Sequence, residues 1–505
     1  MPLVNASNQL YFLLLIVAGG IAGALVHRKN QDRKKVTVTI EFSKFQRAFL
    51  LVYGLAIFGD WLQGPYVYAL YKEYGYSEGD IGVLFVAGFG SSAIFGTVVG
   101  SLADKYGRKN NVLLFFAIYT LACVTKFFSA YGVLMIGRIL GGVATSILFS
   151  AFEAWMVTEH KGQGFPDEWL DNTFTKMSTL NSLVAVAAGI VGGVLASTGG
   201  LVSPFGGSGV FLIAGGIIVY GTWKENYGNT DISAGFALRD GFNTMTENPR
   251  LLLIGFVQCA FESSMYIFVF LWTPVLEASA APHHLPHGLV FALFMISIMI
   301  GSNLLTNTSR AGRPEFLLRY SLATASACLS VPIFTDSHVL QLVAFCGFEV
   351  TCGIYFPLQG SIRAKYIPGE LRATIMNLYR VGQNGVVVAT LLNVGNFDNT
   401  LVFVMCVLML LFATLCQHNL IEATSGSKSS QAAAMSDMND MDTGDRLEEQ
   451  SVAGSTLDDC GGTTDVETGT ASLEAVASAA PGSGGNGVGV GVDDVVPKVP
   501  DSKGD

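Results

Sequence analysis

Thirteen apolar runs, each of about twenty residues, alternate with short polar loops along this chain of 505 residues. That length crosses about 30 Å of hydrocarbon as a helix. A backbone in lipid must satisfy its own hydrogen bonds, so such runs are read as membrane-spanning helices. Only 13% of the residues are charged, against about 25% in a soluble chain. A soluble enzyme is excluded, and the fold class expected is an all-α polytopic membrane protein. The runs fall at 10–26, then at 45–71, 81–103, 111–130, 132–157, 174–198, 208–223, 251–276, 288–306, 316–334, 339–358, 372–394 and 400–419. We call the first the extra span and number the others 1 to 12.

The net charge of −10 belongs to one end of the chain. From Glu422 onward there are 16 acidic and 4 basic residues; the remainder holds 23 and 25. The segment from 421 to 505 lacks aromatics and reads as a disordered acidic extension. Lys and Arg in the loops set the orientation. If the linker after the extra span is cytosolic, 20 of the 29 basic residues fall in or beside inner loops, Arg363, Lys365 and Arg372 among them, and Lys72 alone lies outside. The N-terminus is then outside, exposing the sequon Asn5-Ala6-Ser7, and the tail is inside. A second sequon, Asn307-Thr308-Ser309, falls in a cytosolic loop. The extra span is followed by HRKNQDRKK and preceded by no basic residue, the reverse of signal-peptide polarity. The expected organisation is the extra helix and basic linker (1–44), six spans (45–223), a central cytosolic loop (224–250), six more spans (251–420) and the tail.

Ionisable residues at mid-membrane cost about 2.5–3.5 kcal/mol on insertion scales, so those within the spans demand a role. Asp60 lies in span 1, Glu153 in span 4, Glu262 in span 7 and Glu349 in span 10. Asp60 and Glu262 are 202 residues apart, Glu153 and Glu349 are 196 apart, and each of the latter pair follows a phenylalanine. Matched acids at matched spans point to a duplicated six-helix unit around a shared cavity. Helical spacing gathers polar neighbours beside them: Gln63 and Tyr66 with Asp60, Ser146 and Ser150 with Glu153, Gln258 and Tyr266 with Glu262. Asn377, Arg380 and Asn384 form one stripe in span 11, and Asn181 lies in span 5. Such groups also serve as plain interhelical bonds, worth about 0.6 kcal/mol each. Three bases lie in spans. Lys126 and Arg138 sit toward the outer end, within snorkelling reach. Arg380 lies too deep for that, and its guanidinium fork matches the oxygens of a tetrahedral oxyanion.

The loop after span 2, GSLADKYGRK from Gly100 to Lys109, resembles the signature G-x-x-x-D-[RK]-x-G-R-[RK] of the major facilitator superfamily at every defined position. The resemblance implies two six-helix bundles, with Asp104 and Arg108 as a conformational latch between them. Arg138-Ile-Leu-Gly-Gly142 is similar to the family's R-x-x-x-G motif and joins that set. The corresponding loop between spans 8 and 9 lacks the D-x-x-G-R core. The strings GDWLQGPYVYALY (59–71), GRKN (107–110), LFSAFEAW (148–155), FES and FVFLWTPVL (within 261–276) and EVTCGIYFP (349–357) resemble the eukaryotic molybdate-anion transporters, over about residues 45–420. This resemblance implies high-affinity molybdate uptake across the plasma membrane.

Alternating access would rock the two halves about a midplane site lined by spans 1, 4, 7 and 10. Four acids against three bases suit a dianion poorly. Either some acids carry protons and serve as donors or proton carriers, or some are paired with Lys126, Arg138 or Arg380. Two other functions fit the same chain: a proton-coupled carrier of a sugar or other organic solute, with Trp61, Tyr66, Trp155 and Trp272 as stacking surfaces, and a non-transporting nutrient sensor. No cofactor motif, Walker loop or zinc spacing is present, the cysteines form no CxxC pair, and His283, His284 and His287 read as a solvated outer loop. Nothing marks a nucleic-acid partner. The partners expected are the anion, protons and the bilayer.

Overall fold

The computed structural model describes residues 9–31, 38–96, 99–228, 242–281, 283–308, 313–368 and 371–424. The sequon at Asn5, Ser309 of the second sequon, part of the central loop and the acidic tail from 425 lie outside the described residues. Besides a short helical stretch at 242–247, sixteen α-helices are found among those described. They are α1 (Gln9–Gln31), α2 (Ile40–Gln63), α3 (Val67–Glu73), α4 (Glu78–Gly96), α5 (Val99–Tyr106), α6 (Arg108–Thr125), α7 (Tyr131–Leu148) and α8 (Ala151–Gly162). Then come α9 (Asp167–Gly199), α10 (Ser203–Thr222), α11 (Pro249–Ala280), α12 (His287–Thr308), α13 (Pro314–Phe334), α14 (His338–Tyr366), α15 (Arg372–Asn393) and α16 (Asn399–Thr424).

Ten spans among the described residues are long and apolar enough to cross a membrane. Helices α2, α6 and α15 fall outside that set because they carry the polar residues that matter below, yet each packs within the bundle. Local chemistry sets the ends. Thr39 Oγ1 accepts the Phe42 amide at 3.3 Å to cap α2, and Asn248 Oδ1 accepts the Arg250 amide at 3.0 Å ahead of Pro249 in α11. Two expected spans are broken. Span 1 turns at Gly64–Tyr66, where Pro65 cannot donate to the helical ladder. Span 4 breaks at Phe149 and Ser150 between α7 and α8. Span 10, expected to end at 358, runs on to Tyr366.

In the N-terminal half α2 packs on α9 and α10, and α6 on α7 and α10, around Phe49, Phe115, Phe152 and Trp223. In the C-terminal half α11 packs on α14 and α15, and α14 on α12 and α13, around Phe261, Phe268, Phe345 and Tyr355. Helix α1 lies on α12. Its buried Tyr11 hydroxyl meets His338 Nε2 at 2.5 Å, and His338 Nδ1 meets Ser279 Oγ at 2.9 Å.

The halves touch mainly where α9 meets α12 and α4 meets α15. Both contacts draw on the end of the bundle that carries the α3–α4 turn. Gly189 and Gly288 let α9 and α12 approach until either Cβ would collide with the other backbone. Rings fill the rest of the seam: Phe89 on Tyr266 at 5.0 Å, Phe85 on Phe270 at 5.3 Å, Trp61 on Phe291 at 5.8 Å. That end is closed. Asn377 and Arg380, inside α15, are nevertheless exposed.

Candidate functional site

Glu262 sits midway along α11, in the C-terminal half. Its Oε1 takes Nη2 of Arg363 at 2.9 Å and the Tyr355 hydroxyl at 3.2 Å. Tyr355 is fixed by stacking on Phe261, ring centroids 3.8 Å apart. Arg380, from α15, lies close enough to act on both Glu262 and Tyr266. It makes no hydrogen bond or ion pair among the described residues. Gln258, one turn before Glu262, is 1% exposed, and its Oε1 has no partner among the described residues. The same holds for Nε of Arg363. Two guanidinium groups thus act on one carboxylate, one of them in direct contact. Asn377 is exposed and Asn384 half-buried on the same helix as Arg380.

Arg363 corrects the charge reading. Hydropathy places it with the inner loops, because the apolar run stops at Leu358. Helix α14 continues past that point, and Tyr355, Gln359 and Arg363, spaced four apart, lie along one helical stripe. That spacing was the available signal: a polar stripe prolonging an apolar run.

The N-terminal half presents acids. Tyr119 donates its hydroxyl to Asp60 Oδ1, and Tyr53 lies within the field of both Asp60 and Glu153. Glu153, in the first turn of α8, is half-buried and has no hydrogen bond or ion pair among the described residues. Gln63 is used in packing: its Nε2 reaches Gly59 O at 3.2 Å and Ser208 Oγ at 3.1 Å, tying α2 to α10. Tyr66 lies at the closed seam, its ring 6.1 Å from that of His287. Asn181 accepts the Trp61 indole N–H at 2.8 Å.

Glu349 is not brought to these groups. It is 6% exposed inside the C-terminal half, beside the thiols of Cys352 and Cys346. The expected equivalence with Glu153 fails in depth, because Glu153 follows the break in span 4 whereas Glu349 lies in the first half of the continuous α14. Nor does Lys126 snorkel. It is 3% exposed, with Nζ on the Tyr71 hydroxyl at 2.6 Å. Arg138 lies over the Phe85 ring at 4.8 Å and donates Nε to Leu84 O. His287, read as part of a solvated loop, opens α12 and pairs with Glu277 at 2.7 Å.

Asp104 and Arg108 are joined, Nη2 to Oδ1 at 2.7 Å. Arg108 also donates to Ala154 O at 3.1 Å and to Thr158, both on α8. Glu225 accepts the amides of Lys109 and Asn110 at 2.8 and 3.1 Å, capping α6. Gly107 makes room for this with φ at 101°, and a Cβ there would meet the Glu225 carboxylate. These bonds join the N-terminal half to the start of the central loop, and none reaches the C-terminal half. Arg138, on α7, is held apart from them against Leu84 and Phe85 of α4. Of the tryptophans considered for stacking a solute, Trp155 is stacked on Trp223 at 3.6 Å and Trp272 packs on Phe294.

Two helix bundles that meet along a packed seam, each holding charged groups among its helices, have the architecture of the major facilitator class. The family whose sequence pattern matches residues 10–354 is described as sugar transporters with twelve transmembrane segments. Solved structures agree on the fold. The nucleoside transporter NupG matches with a TM-score of 0.59 at 13% identity, over 75% of this chain and 98% of that one. A D-xylose-proton symporter matches at 0.58 and 12%, over 74% and 97%. Among curated relatives, the molybdate-anion transporter of Xenopus laevis is 36% identical over 418 residues, 80% of this chain and 92% of that protein. That of Danio rerio is 36% identical over 411 residues, 73% and 84%. The chain belongs to the major facilitator superfamily and, within it, to the family of these molybdate-anion transporters.

Proposed function

We propose that this chain carries molybdate across the plasma membrane by alternating access, and is a transporter rather than an enzyme or a sensor. The names of its relatives support the substrate. The observation that carries it in this molecule is the Arg363–Glu262 ion pair at 2.9 Å, with Arg380 near enough to act on the same carboxylate. A guanidinium fork offers parallel N–H groups to the oxygens of an oxyanion. Gln258, Tyr266, Asn377 and Asn384 supply neutral donors around it. This eases the conflict between a dianion and an acidic lining: Glu349 lies elsewhere, Arg363 is added, and the acids that stand apart from a guanidinium, Asp60 and Glu153, belong to the opposite wall. Those two face no guanidinium and are candidates for carrying protons in addition to any that Glu262 takes up.

The rocking units are residues 45–223 and 251–420. With the Asp104–Arg108 end in the cytosol, as the basic loops favour, the closed seam lies outside and the site faces inward. Asp104 and Arg108 form the N-terminal part of the latch that would grip the other half when the inner end closes.

The test is molybdenum accumulation, by mass spectrometry, in cells lacking their own uptake system and supplied with nanomolar molybdate and excess sulfate. Arg380→Ala removes charge-assisted bonds worth about 1.5–3 kcal/mol, so the apparent affinity is expected to fall roughly 10–150-fold. Wild-type protein at the cell surface that accumulates no molybdenum would remove the molybdate reading and leave the fold standing.

A further inference from the structure

A carboxylate and an oxyanion make the same demand on a guanidinium: two acceptor oxygens in one plane, close enough for charge-assisted bonds. In this molecule the Glu262 carboxylate already holds that position. It takes Nη2 of Arg363 and the Tyr355 hydroxyl, leaving the buried Nε of Arg363 without a partner among the described residues. Arg380 stands beside it, likewise without a bond among them. Gln258 keeps a buried amide oxygen unmatched on the same face of α11. Hydrogen-bonding capacity is therefore left over on the groups around this carboxylate, and buried capacity of that kind calls for a partner.

We infer that Glu262 is the carrier's internal stand-in for its cargo. In the empty protein it neutralises Arg363; an entering dianion displaces it and takes the N–H groups of Arg363 and Arg380, while Glu262 accepts a proton from the aqueous side. This rests on the reading of Arg363 and Arg380 as the anion cradle.

The charges balance. The empty cradle holds two guanidinium charges and one carboxylate. The loaded cradle holds two guanidinium charges, a neutral carboxyl and a dianion. The Arg363–Glu262 ion pair breaks, an O–H bond forms on Glu262, and N–H···O bonds form to the cargo. Without that proton, a carboxylate and a dianion would share one cradle. The groups facing Glu262 are Arg363 and Tyr355 from α14, Arg380 from α15, and Tyr266 and Cys259 on its own helix. Tyr379 of α15 faces Arg363. None of these is a second carboxylate.

The experiment is calorimetric binding of molybdate to the purified full chain, from mildly acidic to mildly alkaline pH, in pairs of buffers that differ in ionisation heat so that proton uptake is counted. For the wild type we expect about one proton taken up per molybdate bound, and affinity weakening about tenfold per pH unit on the alkaline side. Glu262→Gln should bind without proton uptake, at an affinity independent of pH and tighter than wild type at alkaline pH. Arg363→Gln should lose binding in either background. Wild-type binding with no proton uptake, or a Glu262→Gln variant that keeps the wild-type slope, overturns the exchange and leaves the molybdate cradle standing. No molybdate binding by folded wild type at any pH overturns both. If Glu262→Gln does not fold, the wild-type proton count decides alone.

Discussion

Removing the guanidinium of Arg363 would leave the Glu262 carboxylate buried beside Tyr355, with Arg380 as its remaining neighbouring cation. Breaking a buried ion pair from one side is expected to cost about 3–5 kcal/mol, because an uncompensated charge remains. Arg363→Ala should therefore lower the unfolding temperature in detergent, and Glu262→Gln in the same chain should recover much of the loss. Equal unfolding temperatures for the single and double variants would mean that the pair has no such role. This pair shows how far single residues were legible. Glu262, Gln258, Tyr266 and Arg380 stood out because polar groups in apolar runs need a reason. Arg363 did not, because hydropathy ends a span where polar residues begin, whereas a helix ends where its backbone hydrogen bonds end. Glu349 stood out as strongly as Glu262, and its surroundings are thiols rather than guanidinium groups.

Between elements, the decisive contact is α9 against α12. Gly189 and Gly288 meet backbone to backbone there, with the Tyr66 hydroxyl beside Gly288. Gly288→Val would place branched carbon where no room exists. Overpacking of this kind costs about 1–3 kcal/mol, set against the closed seam in particular, and shifts the equilibrium between closed and open forms roughly 5–150-fold. The expected result is slower uptake together with faster reaction of a membrane-impermeant thiol reagent at Tyr66→Cys. Unchanged labelling would show that the seam tolerates the valine. Spacing shows that a span contains glycine; which glycines face a partner helix depends on how the halves dock. The same applies to α1. Its apolar run was plain, but its seat on α12 and the Tyr11–His338–Ser279 chain join residues 327 and 59 positions apart.

At the scale of the whole molecule, orientation is the first thing to establish, since it decides which end of the bundle is outside. With the N-terminus outside, Asn5 receives glycan and Asn307 does not. Glycosidase treatment should then shift the electrophoretic mobility of the full chain, and Asn5→Gln should abolish the shift; a shift lost only with Asn307→Gln would invert the topology. Apolar runs, their number, the basic loops and the GSLADKYGRK loop were enough for the class, because a bilayer forces each span to satisfy its own backbone and so writes the fold into local composition. They also separated the acidic tail from the transporter body. The tertiary structure alone decided which charged groups meet. Glu262 and Arg363 lie 101 residues apart and bond across two helices, while Asp60 finds a phenol and Lys126 a tyrosine hydroxyl instead of an acid. Side-chain encounters depend on how long each helix runs, where it breaks and how its neighbour is turned, and a one-dimensional pattern of hydrophobicity carries none of those three.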